Sequence, residues 1–139
     1  MIILDTKVVS EAIKTGREQA VVNWLDRQAT ETLYLTVISL SELSLGIELL
    51  PKGQRKNKIS SSLEELIQNH FDSRILPFDR QAALAYGALV GTARKSGRQV
   101  SIPDGQIAAI ASVHGFMVAT RDTTTFVALG IAVINPWIA

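Results

Sequence analysis

Four acidic residues, Asp5, Glu42, Asp104 and Asp122, stand where a carboxylate can do chemistry rather than simply face water. Asp5 comes directly after Ile2-Ile3-Leu4, large aliphatics with no polar break, which read as a strand buried on both faces. A charge just past such a strand is costly to hold unless water, hydrogen bonds or a cation compensates it. Glu42 follows a second β-rich segment by one turn of helix, and Asp122 follows a fourth across Thr120-Arg121. Asp104 opens the helix that leads into that fourth strand. If the strands are parallel, all four acids lie at the carboxyl-terminal edge of the sheet, where open α/β sheets bind ligands. Like charges brought together imply raised pKa values or bound cations. With only oxygen donors, the cation would be Mg²⁺ or Mn²⁺. Such an ion can lower the pKa of a bound water and stabilise the leaving oxygen in phosphodiester hydrolysis.

The elements that must position these acids follow from periodicity. Val8, Val9 and Ile13 give a short helix ending near Gly16; Ala20, Val21, Trp24 and Leu25 give a second, with Glu18, Asn23 and Arg27 turned to water. Residues 32–37 are rich in β-formers. A helix is then expected from Ser39, with Leu43, Ile47 and Leu50 inward and Pro51-Lys52-Gly53 ending it. Another is expected over residues 56–71, with Ile59, Leu63, Leu66, Ile67 and Phe71 as its buried stripe. Ile75-Leu76-Pro77-Phe78 is a short third strand. Asp79 can cap the long helix carrying Ala82, Ala83, Tyr86, Leu89, Val90 and Ala93, whose small residues Ala85, Gly87, Ala88 and Gly91 permit close approach of a neighbour. The next helix runs from Ser101 to His114-Gly115. Strands at residues 116–119 and 131–134 flank a brief helical turn at residues 123–129. This alternation predicts an α/β three-layer sandwich: a parallel sheet of about five strands with helices on both faces, in one domain spanning residues 1–139.

Each acid also has a purely structural use. Ser39-x-x-Glu42 and Ser101-x-x-Asp104 match a capping box or its aspartate variant. Asp122 can cap the short helix after it, and Asp5 the first helix. Cap and ligand are alternatives for the acids singly; their shared edge favours the ligand reading.

Composition narrows the chemistry further. Cysteine is absent, which excludes disulfides and thiolate zinc sites and suits a reducing compartment. Only His70 and His114 are available for a histidine site, and both sit near helix C-termini. No leader of basic then apolar residues opens the chain and no apolar run approaches the roughly 20 residues that span a bilayer, so a cytoplasmic protein is expected. The net charge of +1 hides an asymmetry. With the four acids set aside, nine of the 13 acidic residues remain against 14 basic ones, an excess of five.

The chain resembles a PIN-domain ribonuclease toxin of the VapC type, in the FitB-like branch. The matching stretches are Ile3-Leu4-Asp5-Thr6; Leu33-Tyr34-Leu35-Thr36-Val37-Ile38-Ser39-Leu40-Ser41-Glu42-Leu43 with Gly46; Arg74-Ile75-Leu76-Pro77-Phe78-Asp79; Pro103-Asp104-Gly105-Gln106-Ile107-Ala108-Ala109; Ala119-Thr120-Arg121-Asp122 with Phe126; and Asn135-Pro136-Trp137. They run in order from one end of the chain to the other. The resemblance implies that Asp5, Glu42, Asp104 and Asp122 hold Mg²⁺ or Mn²⁺, supported by the Thr6 and Thr120 hydroxyls, and that the protein cuts RNA. It also implies a homodimer, restrained by a VapB- or FitA-like antitoxin that inserts a C-terminal segment and supplies any contact with DNA. Two positions depart from the pattern: Lys7 replaces the family's usual asparagine, and the acid of the last motif is at 122 with Thr125 three residues later.

Lys7 sits two residues from a metal-binding carboxylate, where it can compete with the cation, contact RNA phosphate or point to solvent. It keeps open a catalytically impaired binding subunit. An acidic phosphoryl-transfer pocket, as in a receiver domain, is a further alternative, but its paired acids after strand one and its lysine after a late strand are missing. Arg121, Lys52, Arg55 and Lys56 are candidate contacts for substrate or antitoxin. Glu11 is expected at a solvent position, and Trp24, Tyr34, Tyr86 and Trp137 in packing.

Overall fold

The computed structural model describes residues 1–139. Five strands, β1 (Ile2–Leu4), β2 (Leu33–Thr36), β3 (Ile75–Leu76), β4 (Met117–Ala119) and β5 (Val133–Ile134), form one sheet in the order β3-β2-β1-β4-β5. Every pairing is parallel. Seven helices connect them: α1 (Thr6–Ile13), α2 (Gln19–Asp26), α3 (Val37–Glu48), α4 (Gln54–Leu66), α5 (Arg80–Lys95), α6 (Ile102–His114) and α7 (Thr123–Ala128). No helix is long and apolar enough to cross a membrane.

The central strand is apolar on both faces because it has two cores to serve. Ile3 packs with Val118, Ile107, Ile110, Val90 and Phe126, the layer of α5, α6 and α7. Leu4, one residue on and therefore pointing the other way, packs with Val8, Val9, Val21, Trp24, Leu43, Ile59 and Leu63, the layer of α1 to α4. The three-layer sandwich is as expected.

Several local expectations need correction. α3 begins at Val37, and its cap is Thr36, whose hydroxyl accepts from Ser39 N at 3.1 Å. Ser39 is therefore inside the helix and makes no capping box with Glu42. β2 stops at Thr36 for the same reason. The long helix after α3 starts at Gln54 and ends in a π-helical turn, Ile67–Phe71. Ala83 is exposed, outside the buried stripe of α5.

The close helix contact also lies elsewhere than expected. Gly87 and Gly91 of α5 face open space. It is Gly105 of α6 that lets the two helices touch: a Cβ there would stand 2.7 Å from Val90 Cγ2 and 2.8 Å from Tyr86 Cε2. The expectation weighed small residues on one helix and overlooked the glycine on its partner.

Candidate active site

The order of the strands changes direction beside β1: the chain builds outward through β2 and β3, then returns to lay β4 on the other side. Crevices at such switch points are ligand sites. The register decides which residues meet there. Leu4 is opposite Ala119, and the ladder runs one step further through Asp5 N donating to Ala119 O at 3.0 Å. Asp5 and Thr120, the next residues on the two strands, are thus side by side. Thr120 Oγ1 donates to Asp5 Oδ2 at 2.8 Å, and the same hydroxyl accepts from Asp122 N at 3.0 Å. One fully buried threonine ties two of the expected acids together.

A second hydroxyl ties in the third. Thr6 Oγ1 lies 2.6 Å from Glu42 Oε1 and 3.0 Å from Ser39 Oγ. Threonine has one hydroxyl proton, which goes to the carboxylate, so the Ser39 hydroxyl donates to Thr6. The early start of α3 buries Ser39 completely and aims it at Thr6. Nothing in the capping-box spacing distinguished this role.

Asp104 completes the set from the opposite layer. Ser101 caps α6 by accepting from Asp104 N at 3.3 Å. The cap is therefore made by the Asp104 backbone. Burial pushes the Asp104 carboxyl above its ordinary range; Asp122 and Glu42 raise it further, while Ser101 and the Lys7 ammonium pull it down. Asp5 behaves alike. Burial raises it, the Thr120 and Thr6 hydrogen bonds lower it, and the charges of Asp104 and Glu42 add to the rise. The four expected acids thus fall within one another's electrostatic reach.

Asp5 and Asp122 also act as caps. Asp5 Oδ1 accepts from Thr6 N at 2.8 Å, and Asp122 Oδ1 from Thr125 N at 3.4 Å. Each uses one oxygen, and a carboxylate has capacity for more. Cap and site residue are not exclusive here.

Other candidates divide. Lys7 is exposed and close enough to lower the Asp104 pKa. Arg121 lays its guanidinium 5.2 Å from the Trp137 ring centre, bracing the chain's end. Lys56 Nζ donates to Glu48 O at 3.0 Å and closes α3. Lys52 and Arg55 are exposed.

Glu11 overturns the expectation of a solvent position: it is 8% exposed. Its Oε2 accepts from Glu18 N at 2.9 Å and its Oε1 pairs with Lys14 at 2.7 Å. Burial alone would raise this carboxyl; the Glu18 N–H, Lys14 and the Arg121 charge hold it below its usual range. Glu11 fastens the turn between α1 and α2. Its signal was only its helical spacing from Val8, which puts it near the inner face.

The donor set fits a hard cation in kind: carboxylates and hydroxyls, with no sulfur or imidazole. As the side chains stand, no three Asp, Glu, His or Cys groups are close enough together to hold an ion. The fit therefore lies in donor chemistry and convergence.

Thr120→Val tests the bridging hydroxyl. The valine keeps the shape but strands Asp5 Oδ2 and Asp122 N, which should cost about 1–3 kcal/mol in urea unfolding. An unchanged midpoint would remove the hydroxyl from the account of the site.

The family model for the PIN domain matches residues 2–130. The chain belongs to the PIN-domain family. Over 137 residues it is 45% identical to the VapC ribonuclease Y4jK of Sinorhizobium fredii, covering 99% of this chain and 98% of that one. It is 44% identical over 137 residues to the toxin FitB of Neisseria gonorrhoeae, with 99% of each chain covered. The solved structure of FitAB bound to an IR36 DNA fragment superimposes with a TM-score of 0.92 at 42% identity, over 99% of this chain and 96% of that one. Within the PIN family the chain falls with the VapC and FitB toxins.

Proposed function

We propose that the protein is a metal-dependent endoribonuclease, the toxin of a toxin–antitoxin pair, with Asp5, Glu42, Asp104 and Asp122 as its Mg²⁺- or Mn²⁺-binding acids. The supporting observation is the linkage of four acids from four elements at one switch point, through the Thr120–Asp5 and Thr6–Glu42 hydrogen bonds and the mutual charge effects at Asp104. When bound, the divalent ion would supply a nucleophilic water at neutral pH and stabilise charge on the phosphate. The protein's own residues do the positioning. Thr120 fixes Asp5 Oδ2, the Thr6 hydroxyl holds the exposed Glu42 through Oε1, and the capped start of α6 presents Asp104. The raised Asp5 and Asp104 carboxyls hold protons more tightly than ordinary acids, so protons compete with a metal ion over a wider acid range and affinity should climb with pH there.

The partners are an RNA substrate, a second copy in a homodimer and a VapB- or FitA-like antitoxin, which makes any DNA contact; the setting is the cytoplasm. The ribonuclease and toxin names of its relatives support this reading. Antitoxin-free protein should cut total RNA with Mg²⁺ and cease with EDTA. Cutting indifferent to EDTA would sink the metal mechanism. No cutting at all would favour a catalytically impaired binding subunit, for which the Lys7 charge beside Asp104 is the specific support.

Lys7 makes its own prediction. Replacing it by asparagine removes a cation from the field of Asp104 and should tighten Mn²⁺ binding about 3- to 10-fold, roughly 1 kcal/mol for a partly screened charge. Calorimetric titration reads this directly, and equal or weaker binding would clear Lys7 of competing with the ion.

A further inference from the structure

The hydroxyls that hold the acids together have no proton left to offer a substrate. Thr120 Oγ1 donates to Asp5, Thr6 Oγ1 to Glu42, and Ser39 Oγ to Thr6. The carboxylates, once ionised, only accept. The oxygens of a phosphodiester also accept, so these groups alone give it no donor and repel its charge. One side chain beside the acids is different. Lys7 is exposed and makes no hydrogen bond or ion pair within the protein; no carboxylate oxygen lies within 4.0 Å of its Nζ. All of its ammonium donors are free.

Its place in the crevice follows from its neighbours in the chain. Asp5 caps α1, and Thr6, the first residue of that helix, bonds Glu42; Lys7 is the next residue on the same turn. From there its charge reaches across to Asp104 at the start of α6, the one cation among the charges that bear on Asp5 and Asp104. Arg121, although it precedes Asp122, turns instead to the Trp137 ring and toward Glu11. The helix itself has no use for the lysine. A cation in a first turn opposes the positive end of the helix dipole. The buried face of α1 is made without it, by Val8, Val9, Glu11 and Ile13.

We infer that Lys7 is a substrate-binding residue whose ammonium grips a non-bridging oxygen of the RNA phosphate seated over the four acids. The inference rests on the ribonuclease reading and gives that site its anion donor. A compact charge on a flexible stem suits the task. The charge that hinders a metal ion at Asp104 is then the one that steadies the phosphate, so Lys7→Asn should move the two affinities in opposite directions. An acidic protein segment is the competing occupant; RNA is favoured because Lys7 stands at the candidate cleavage site, where a phosphodiester must sit to be cut.

The test is the affinity of a fluorescein-labelled single-stranded 20-mer RNA for Asp5→Asn protein, which would not cut it, at fixed Mg²⁺ over a KCl series. The same measurement is made with Lys7→Asn added, and again with Lys7→Arg. The expected Kd with Lys7→Asn is about fourfold weaker near about 0.15 M KCl, and the slope of log K against log salt falls by about 0.7, as for one lost phosphate contact on a single strand. Lys7→Arg keeps the charge and should restore both. With Asp5 intact and Mg²⁺ saturating, Lys7→Asn should raise the KM for RNA by a similar factor and leave kcat in place, the mark of a contact made before and during the reaction. The thermal midpoint should hold, since the lysine is exposed and unbonded. An unchanged Kd and slope would overturn the inference and leave the ribonuclease reading standing, with Lys7 at most a competitor of the ion. Weaker binding of a glutamate-rich peptide with RNA binding unaltered would overturn it in favour of an acidic partner. RNA binding by none of these proteins would count against the ribonuclease reading itself.

Discussion

Asp5→Asn should lower RNA cleavage by at least about 100-fold, since even a residue one step removed from a metal costs 10- to 100-fold. The same substitution should raise the thermal midpoint of metal-free protein at neutral pH. Both effects come from one placement. Asp5 is 7% exposed at the end of the central strand, and burial together with the Asp104 and Glu42 charges lifts its pKa. A carboxyl with a raised folded-state pKa stabilises the fold fully only below its unfolded value, and that contribution is lost as pH rises through the folded value. At pH 7 the wild type therefore bears the cost of the charge and the asparagine does not. The midpoint advantage of Asp5→Asn should shrink as pH falls toward about 4, the ordinary aspartate range. Asparagine keeps the oxygen that caps α1 through Thr6 N, so the helix start survives, but it puts an NH2 donor where Oδ2 accepted from Thr120, and that lost hydrogen bond offsets part of the gain. Thermal scans from pH 4 to 7, run beside the cleavage assay, separate the two effects. A variant that is inactive and also less stable at pH 7 would mean that Asp5 is chiefly structural.

Gly105→Val should cost about 2–3 kcal/mol of stability, the upper part of the range for forcing atoms into a filled core. For a domain of this size that is a fall of roughly 10 °C in midpoint. The added carbons would meet Val90 and Tyr86 at under 3 Å, so α5 and α6 must separate. Asp104 precedes Gly105 and would move with α6. Metal affinity should therefore fall along with stability, although residue 105 touches no ion. Retained stability would show that the helices part at little cost. Smaller effects are expected at Gly87 and Gly91, which face open space.

The fold was legible because its signals are local and redundant. Three aliphatics in Ile2-Ile3-Leu4, helical stripes between β-rich segments, and Ser101 and Asp79 as caps each fix an element without reference to the others. The site was legible in part, because a parallel sheet sends every strand end to one edge. Less visible were the features that depend on partners distant in sequence. Ser39 reads as a helix cap until Thr36, one turn earlier, takes that place and frees its hydroxyl for Thr6. Glu11 reads as a surface acid until the next helix start arrives to donate Glu18 N. The small residues of α5 drew attention to the wrong helix, since close approach requires space on only one side and Gly105 supplies it. Lys56 is one of several basic residues open to either solvent or a phosphate until α3 ends beside it and offers the Glu48 carbonyl.

Calorimetric titration of Mn²⁺ into antitoxin-free protein tests most directly whether the four carboxylates make one cation site. Saturable binding is predicted, weakened by about tenfold or more in Asp5→Asn, at the end of the central strand, and in Asp104→Asn, at the start of α6, and left alone by Lys52→Ala. Equal Mn²⁺ binding by the wild type and both aspartate variants would contradict it.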